Sequence, residues 1–544
     1  MKTLFHVSLF LLASAVVGAT GAIPHLQRQG TATQLIVDGQ PFIIHGGELG
    51  NSSGEPAYLH SFWPKLKALH LNAVVAPVYW DQIEPAEGTF NFATVDGLLA
   101  DARANNMRLV LLWFGSWKNS MSCYTPAWVK ADTARFPRAR SSSGRGLEIL
   151  SPFDAVNEQT DARAFATLME HLKAVDGDQH TVVMVQVENE IGMIPEARDH
   201  SPEAEKAFAA SVPSELMSYL AAHSDTLQPA LRQRWFNAGH KSAGTWTEVF
   251  GPGPATEEIF MAWYFARYTD AVAKAGKAAY PLPMYVNAAL IRPGHQPGQY
   301  PSAGPLPQVF DVWRAGAPTI DLFAPDIYFQ DFIGWARRYT EGGNGLFIPE
   351  AMRSPEAAAN ALYAIGGLNS MGFSAFGIES IGEPAAGLLA KSYDLLTQLT
   401  PLIVQHQGRG TMFGLMSEGP EQRQPQQIEV NGYVVHVAFE TSTGPSLADG
   451  VPAGAGAAPR FPSGGILIAT GPNQFVLAGV GITAVFSARS AAQAGILSTE
   501  EGHYSDGQWI HERWLNGDET NQGRFIRIPP GHFGIQRVTL YTYR

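Results

Sequence analysis

Between residues 40 and 395, short apolar runs alternate with amphipathic stretches, and this alternation leaves the chain few folds to choose from. The runs are Pro41–His45, Ala73–Val78, Leu109–Phe114, Val182–Val187, Pro283–Asn287, Leu322–Pro325, Leu346–Pro349 and Phe373–Ile378. They are made largely of Val, Ile, Leu, Phe and Ala, as strands buried on both faces of a parallel sheet must be. Stretches with helical spacing separate them, such as Phe92–Ala104, Asp161–Ala174, Glu257–Ala279 and Ala357–Leu368. Eight strands, each followed by a helix, predict an α/β fold of the (β/α)8 barrel type. The largest insertion falls between the fourth and fifth strands, at about residues 193–280. In such a barrel the loops after the strands carry the chemistry, so polar residues at strand C-termini are the candidates to read first.

The pattern changes from about residue 403. Gln427–Glu440, Gly465–Thr470, Gln474–Leu477, Ile482–Ser487, Arg524–Pro529 and Arg537–Arg544 read as strands, with turn signals at Asn431-Gly432 and Asn516-Gly517. This predicts a C-terminal all-β, sandwich-like domain, with a Gly/Ala/Pro-rich loop at Ser442–Gly465. At the other end, Lys2, the apolar run Leu4–Val17 and the small residues Thr20-Gly21-Ala22 have the form of a secretory signal peptide. The expected division is therefore a signal segment at 1–22, a catalytic barrel at 23–400 and an accessory domain at 401–544. Export to the periplasm or beyond follows from the first segment. No run is long and apolar enough to predict a membrane span. The chain has 37 Lys+Arg against 49 Asp+Glu, a formal charge of −12, which argues against nucleic acid as the main partner. Cys123 is the single cysteine, so no intramolecular disulfide forms, and it is expected to pack in the interior. The inventory of 12 Trp, 17 Tyr and 29 Phe favours an uncharged, stackable ligand such as a sugar. Oligomeric state is left open.

Two strand ends stand out. The fourth runs from Val182 into Glu188-Asn189-Glu190, and the seventh runs from Leu346 into Glu350. Barrel closure would bring these carboxylates together, which is the arrangement retaining glycoside hydrolysis requires. Strand alternation does not choose between Glu188 and Glu190, because residues two apart share a face. No His-Glu-x-x-His spacing and no Gly-rich phosphate loop occurs, so neither a metal nor another cofactor is expected.

Gln186-Val187-Glu188-Asn189-Glu190-Ile191-Gly192 resembles the signature of glycoside hydrolase family 35, the β-galactosidases. Tyr79-Trp80-Asp81-Gln82-Ile83-Glu84-Pro85 is similar to the segment after the second strand in these barrels. Ala324-Pro325-Asp326-Ile327-Tyr328 and Phe347-Ile348-Pro349-Glu350 are similar to the sixth and seventh strand ends of the wider clan. Ile191 stands where that family has Tyr, and His45-Gly46-Gly47-Glu48 replaces its serine-rich first strand. The resemblance implies Glu190 as acid/base, Glu350 as nucleophile, Asn189 as the ligand of the sugar 2-hydroxyl and Tyr328 as the hydroxyl that bonds the nucleophile. It places Tyr79 and Glu48 at the sugar-binding subsite. Trp113 is a candidate stacking platform and Trp246 a candidate roof, while Glu379 is a candidate hydroxyl ligand or a structural anion. The implied activity is a retaining exo-β-galactosidase acting on galactose-containing oligosaccharides, for instance xyloglucan-type plant cell-wall fragments. The alternative is another retaining β-glycosidase of the clan, a β-glucosidase or endo-glucanase.

Overall fold

The computed structural model describes residues 21–417, 425–440, 461–490, 492–515 and 517–544. Most of the expected signal segment, most of the loop at 442–465, and Asn516 of the second turn signal lie outside the described residues.

Eight parallel strands form one sheet: β1 (Ile44–Glu48), β2 (Ala73–Tyr79), β3 (Arg108–Lys118), β4 (Val182–Asn189), β5 (Met284–Ala289), β6 (Leu322–Ile327), β7 (Glu350–Ala351) and β8 (Gly372–Phe376). Their order is β7-β6-β5-β4-β3-β2-β1-β8, each strand beside its sequence neighbour. An isolated parallel bridge between Ile348 and Phe373 joins the two ends into a ring. A parallel barrel must bury both faces of its strands, and the side chains divide accordingly. Val75, Val110, Leu112, Phe114 and Tyr285 fill the inside. Their neighbours Val74, Ala76, Leu109, Leu111 and Trp113 pack outward against the helices.

Two strands depart from the sequence expectation. The run Pro41–His45 is split: Gln40–Phe42 pairs antiparallel with Ala32–Val37 in an N-terminal sheet, and the barrel strand starts only at Ile44. In the seventh, the apolar run Leu346–Pro349 precedes the ladder, which pairs Glu350 with Asp326 and Ala351 with Ile327. Pro349 has no N–H to offer a ladder, so regular pairing begins after it. The insertion between β4 and β5 is helical, ending in the 26-residue helix Pro254–Ala279.

After the helix Ala385–His406 come a six-stranded and a four-stranded antiparallel sheet. Leu467, Leu477 and Val538 of the first and Val435, Ile482 and Ile526 of the second share one buried cluster, which makes the pair a sandwich. The Asn431-Gly432 turn has positive φ at both residues, 50° and 82°, as a tight two-residue hairpin requires. The sandwich docks on the barrel helix Ala357–Leu368, where a Cβ on Gly414 would lie 2.7 Å from the Gly367 Cα. Only glycine permits that approach.

Candidate active site

Each of the first seven strands, at its C-terminal end, contributes a polar side chain to one mouth of the barrel. Glu48 closes β1, Tyr79 closes β2, Lys118 and Asn119 end β3, Asn189 and Glu190 end β4, Asn287 lies on β5, Asp326 and Tyr328 end β6, and Glu350 opens β7. Glu48, Asn189, Glu190, Asn287, Asp326 and Glu350 are all buried.

The carboxylates are close. Glu190, Asp326 and Glu350 each present an oxygen, and these three atoms lie within 4.8 Å of one another. That separation is small enough for a shared cation, but one oxygen of each already accepts a hydrogen bond from the protein. Asn119 Nδ2 donates to Glu190 Oε2, and the Tyr328 hydroxyl donates to Glu350 Oε1. Asn287 Nδ2 donates to Asp326 Oδ2 at 2.7 Å, and its Oδ1 accepts the Glu190 N–H at 2.8 Å. Lys118 is the buried cation at this mouth: its Nζ donates to Asn119 Oδ1 and sits 5.3 Å over the Phe114 ring. Burial first, and then the charge of Glu190, pushes Glu350 up to about 7. Lys118, Tyr328 and Glu48 pull in the opposite direction and keep it from rising further. Burial, then Glu350, raises both Glu48 and Asp326 well above the usual carboxylate range.

The fourth strand end is held in an unusual backbone. Glu188 and Glu190 have φ of 63° and 44°, a region that L-residues rarely enter. The two residues that meet them just after β3, Asn119 and Ser120, also have positive φ, and their N–H groups donate to the Asn189 and Glu190 carbonyls at 3.2 and 3.1 Å. This reversal breaks the strand alternation. Glu188 turns outward, where its Oε2 accepts the Trp117 N–H at 2.7 Å and its carboxyl group meets Asp161. Glu190 turns inward to Glu350 and Asp326. The expectation that the two share a face is therefore corrected.

Asn189 is fully buried, and neither its Nδ2 nor its Oδ1 has a hydrogen-bond partner; Glu350 Oε2 and Asp326 Oδ1 are likewise without a donor. Buried polar atoms left unpaired cost about 1–3 kcal/mol each, so a group of them at one mouth marks where a ligand's hydroxyls belong.

Other expected positions fall elsewhere. Trp113 is on the outer face of β3, its indole N–H donating to Asp161 at 2.9 Å, so it cannot offer a sugar a face. Trp246 is fully buried in the insertion, 5.2 Å from Phe260 and edge-on to it, and forms no roof. Tyr79 is buried beside the site, stacked on Tyr124, with its hydroxyl accepting the Gly54 N–H at 3.2 Å. Glu379 accepts from Ser53 Oγ at 2.8 Å and from the Gly50 N–H, anchoring the loop after β1. Cys123 is exposed, not packed inside. The sequence reading missed Lys118, Asn119 and Asn287 and quoted Asp326 without giving it a role. Lys118 and Asn119 escaped notice because β3 runs four residues beyond Phe114. For Asn287 the signal was a polar residue at the end of an apolar strand.

The fold and this mouth define a (β/α)8-barrel protein with facing carboxylates at its strand ends, the architecture of a glycosidase barrel. Residues 60–271 match the family model for β-galactosidases of glycoside hydrolase family 42, so the match goes to that family and not to family 35. Residues 389–527 match the model of a domain of unknown function, DUF5597. A β-galactosidase of Xanthomonas manihotis is 26% identical over 207 residues, which are 36% of this chain and 31% of that protein. The chain thus spans about a third of the length of this curated relative. Among solved structures, the β-galactosidase of the psychrophilic Marinomonas ef1 is 13% identical with a TM-score of 0.46, covering 66% of this chain and 60% of that one. That of Rahnella sp. R3 is 16% identical with a TM-score of 0.45, covering 66% and 57%.

Proposed function

We propose that the protein is a retaining exo-β-galactosidase, with Glu190 as acid/base and Glu350 as nucleophile. The observation that carries this reading is the spacing: oxygens of the two carboxyl groups lie within 4.8 Å of one another. Retaining enzymes hold their carboxyl groups about 5–5.5 Å apart, whereas inverting ones leave about 6.5–9.5 Å for a water.

In the first step Glu190 protonates the glycosidic oxygen as that oxygen's bond to the anomeric carbon breaks. Glu350 attacks the anomeric carbon from the opposite face, giving a glycosyl-enzyme ester. In the second step Glu190, now a carboxylate, takes a proton from water as the water displaces Glu350. The anomeric configuration is inverted twice and so retained. Tyr328 suits a residue that steadies the Glu350 anion before attack and releases it afterwards. Asn189, with two unpaired amide atoms beside Glu190, suits recognition of the neighbouring sugar hydroxyl. Glu48 and Tyr79, at the ends of β1 and β2, complete the wall of the sugar pocket.

The β-galactosidase family match over residues 60–271 supports galactose as the glycone. A panel of aryl β-glycosides tests it: galactosides are hydrolysed fastest, and a preference for glucosides would transfer the reading to a β-glucosidase. Profiling the sugars released from galactose-bearing plant oligosaccharides tests exo action, since only free galactose is expected. Export rests on the sequence of residues 1–22, and detection of the chain in the periplasm or medium checks it.

A further inference from the structure

The residue read as acid/base is held through its backbone by a side chain of the next strand. The β4–β5 ladder pairs Met284 with Val185 and Tyr285 with Gln186, and regular pairing stops there. Beyond it the Asn287 side chain takes over. Its Oδ1 accepts the Glu190 N–H at 2.8 Å, and its Nδ2 donates to Asp326 Oδ2 at 2.7 Å. Asn287 is 2% exposed and Asp326 1%, so water does not compete for these bonds.

Chemistry fixes the orientation of that amide. A main-chain N–H can only donate, so it must meet the amide oxygen, and the amide nitrogen then faces Asp326. A flipped amide would set N–H against N–H and oxygen against carboxyl oxygen. Asn287 therefore brackets β4 and β6: Asp326 fixes the amide, and the amide fixes Glu190. The backbone it fixes is one that L-residues rarely adopt, with φ of 44° at Glu190. The carbonyl of the same residue accepts from the Ser120 N–H at 3.1 Å, and its carboxyl group accepts from Asn119. Asn119 and Ser120 form a two-residue turn, with φ of 50° and 67°. Lys118 and Met121 close it by exchanging backbone hydrogen bonds at 2.8 and 2.9 Å. Without a partner for its N–H, Glu190 could return to extended backbone, and its carboxyl group would turn away from Glu350.

We propose that Asn287 is the positioning residue of the acid/base, with Asp326 as its anchor. The pair holds Glu190 in the reversed backbone conformation that turns its carboxyl group into the mouth. Asp326 thereby has a task that needs neither contact with the sugar nor transfer of a proton. The acid/base role of Glu190 rests on the proposed function; the two hydrogen bonds do not.

Leaving-group dependence in the full chain tests the proposal, because a misaimed acid harms only those substrates that need a proton. In Asn287→Ala, kcat/KM should fall by about a hundredfold on phenyl β-galactoside, whose leaving group needs protonation. On 2,4-dinitrophenyl β-galactoside, whose leaving group needs none, it should fall by less than about tenfold. In a Glu190→Ala background the same substitution should cost less than about threefold on either substrate, since nothing is left to aim. Asn287→Asp keeps the acceptor but sets a second carboxyl group against Asp326, and should show the same selective loss. Adding Asp326→Asn to it restores both hydrogen bonds with one donor and acceptor exchanged, and should bring kcat/KM to within about tenfold of the wild type. Equal losses on both substrates, no loss, a loss that persists in the Glu190→Ala background, or no recovery in the exchanged pair overturns the proposal. Should Asn287→Ala fail to fold, Asn287→Asp and the exchanged pair decide. If Glu190→Ala itself loses equally on both substrates, the proposed function fails, and deuterium exchange of the Glu190 N–H, followed by NMR, still reads the placement. That exchange should be faster in the Asn287 variants than in the wild type, and an unchanged rate overturns the proposal.

Discussion

Glu188 and Glu190 stand two residues apart at the end of one strand yet serve opposite sides of the barrel wall. Glu188 meets Asp161 among the outer helices, and Glu190 meets Glu350 and Asp326 inside. Positive φ at both residues makes this possible. Asp161 accepts from Trp113 Nε1 at 2.9 Å and from the Ser116 N–H at 3.1 Å, so the outer pair ties β3, β4 and the helix Ala155–Asp176 together. The strained strand end is thereby over-determined from both faces, which is how such conformations persist.

The outer pair makes stability depend on pH. Burial first, and Asp161 next, hold Glu188 well above the usual carboxylate range. Between the ordinary glutamate pKa and that raised one, the native state binds more protons than the unfolded state. Stability therefore falls as pH rises through the interval. Glu188→Gln, which mimics the protonated acid, is expected to flatten the fall. Thermal unfolding at about pH 6 and about pH 9 checks this; an unchanged difference between the two midpoints would speak against a protonated Glu188. Glu188→Ala should cost about 1–3 kcal/mol by leaving the buried Trp117 N–H without its acceptor.

Trp113→Phe separates support from recognition. Trp113 braces Asp161 from the outer face, so the substitution should lower stability by about 1–3 kcal/mol while KM changes less than about threefold. A large rise in KM with unchanged stability would return Trp113 to the sugar pocket.

Asn189→Ala tests whether the unpaired amide awaits a ligand. Removing a buried group that has no partner should leave the unfolding midpoint unchanged or raised. At the same time kcat/KM should fall by about a hundredfold to a thousandfold. A loss of stability without a loss of rate would make Asn189 structural.

Tyr328→Phe removes a donor to Glu350, which Tyr328 helps to keep down at about 7. With the anion less stabilised, the Glu350 pKa rises. The acid limb of kcat/KM should shift to higher pH, with kcat lower by about tenfold to a hundredfold. A shift to lower pH would contradict the hydrogen bond's assigned direction.

The barrel was legible because its periodicity is strong: seven of the eight apolar runs overlap or, at the seventh, directly precede a barrel strand, and the first straddles two strands. Glu190 and Glu350 were legible because each ends an apolar run. What escaped the sequence was direction. Trp113 looked available for stacking until register turned it outward, and strand alternation put Glu188 on one face with Glu190 until the backbone reversed between them. Lys118 was hidden because the apolar run ends at Phe114, while the strand continues through Gly115-Ser116-Trp117 to Lys118. The meeting of Glu190 with Glu350 joins residues 160 positions apart and follows only from closure of the barrel.

The assignment of Glu350 as nucleophile and Glu190 as acid/base is tested most directly by azide rescue of their alanine variants on an aryl β-galactoside. Glu350→Ala should lose about a thousandfold or more of the wild-type rate, and azide should restore turnover by displacing the aryl group from the opposite face, giving α-galactosyl azide. Glu190→Ala should still form the glycosyl-enzyme and give β-galactosyl azide. Near-wild-type turnover by Glu350→Ala, or the two azide configurations exchanged between the variants, would contradict the account.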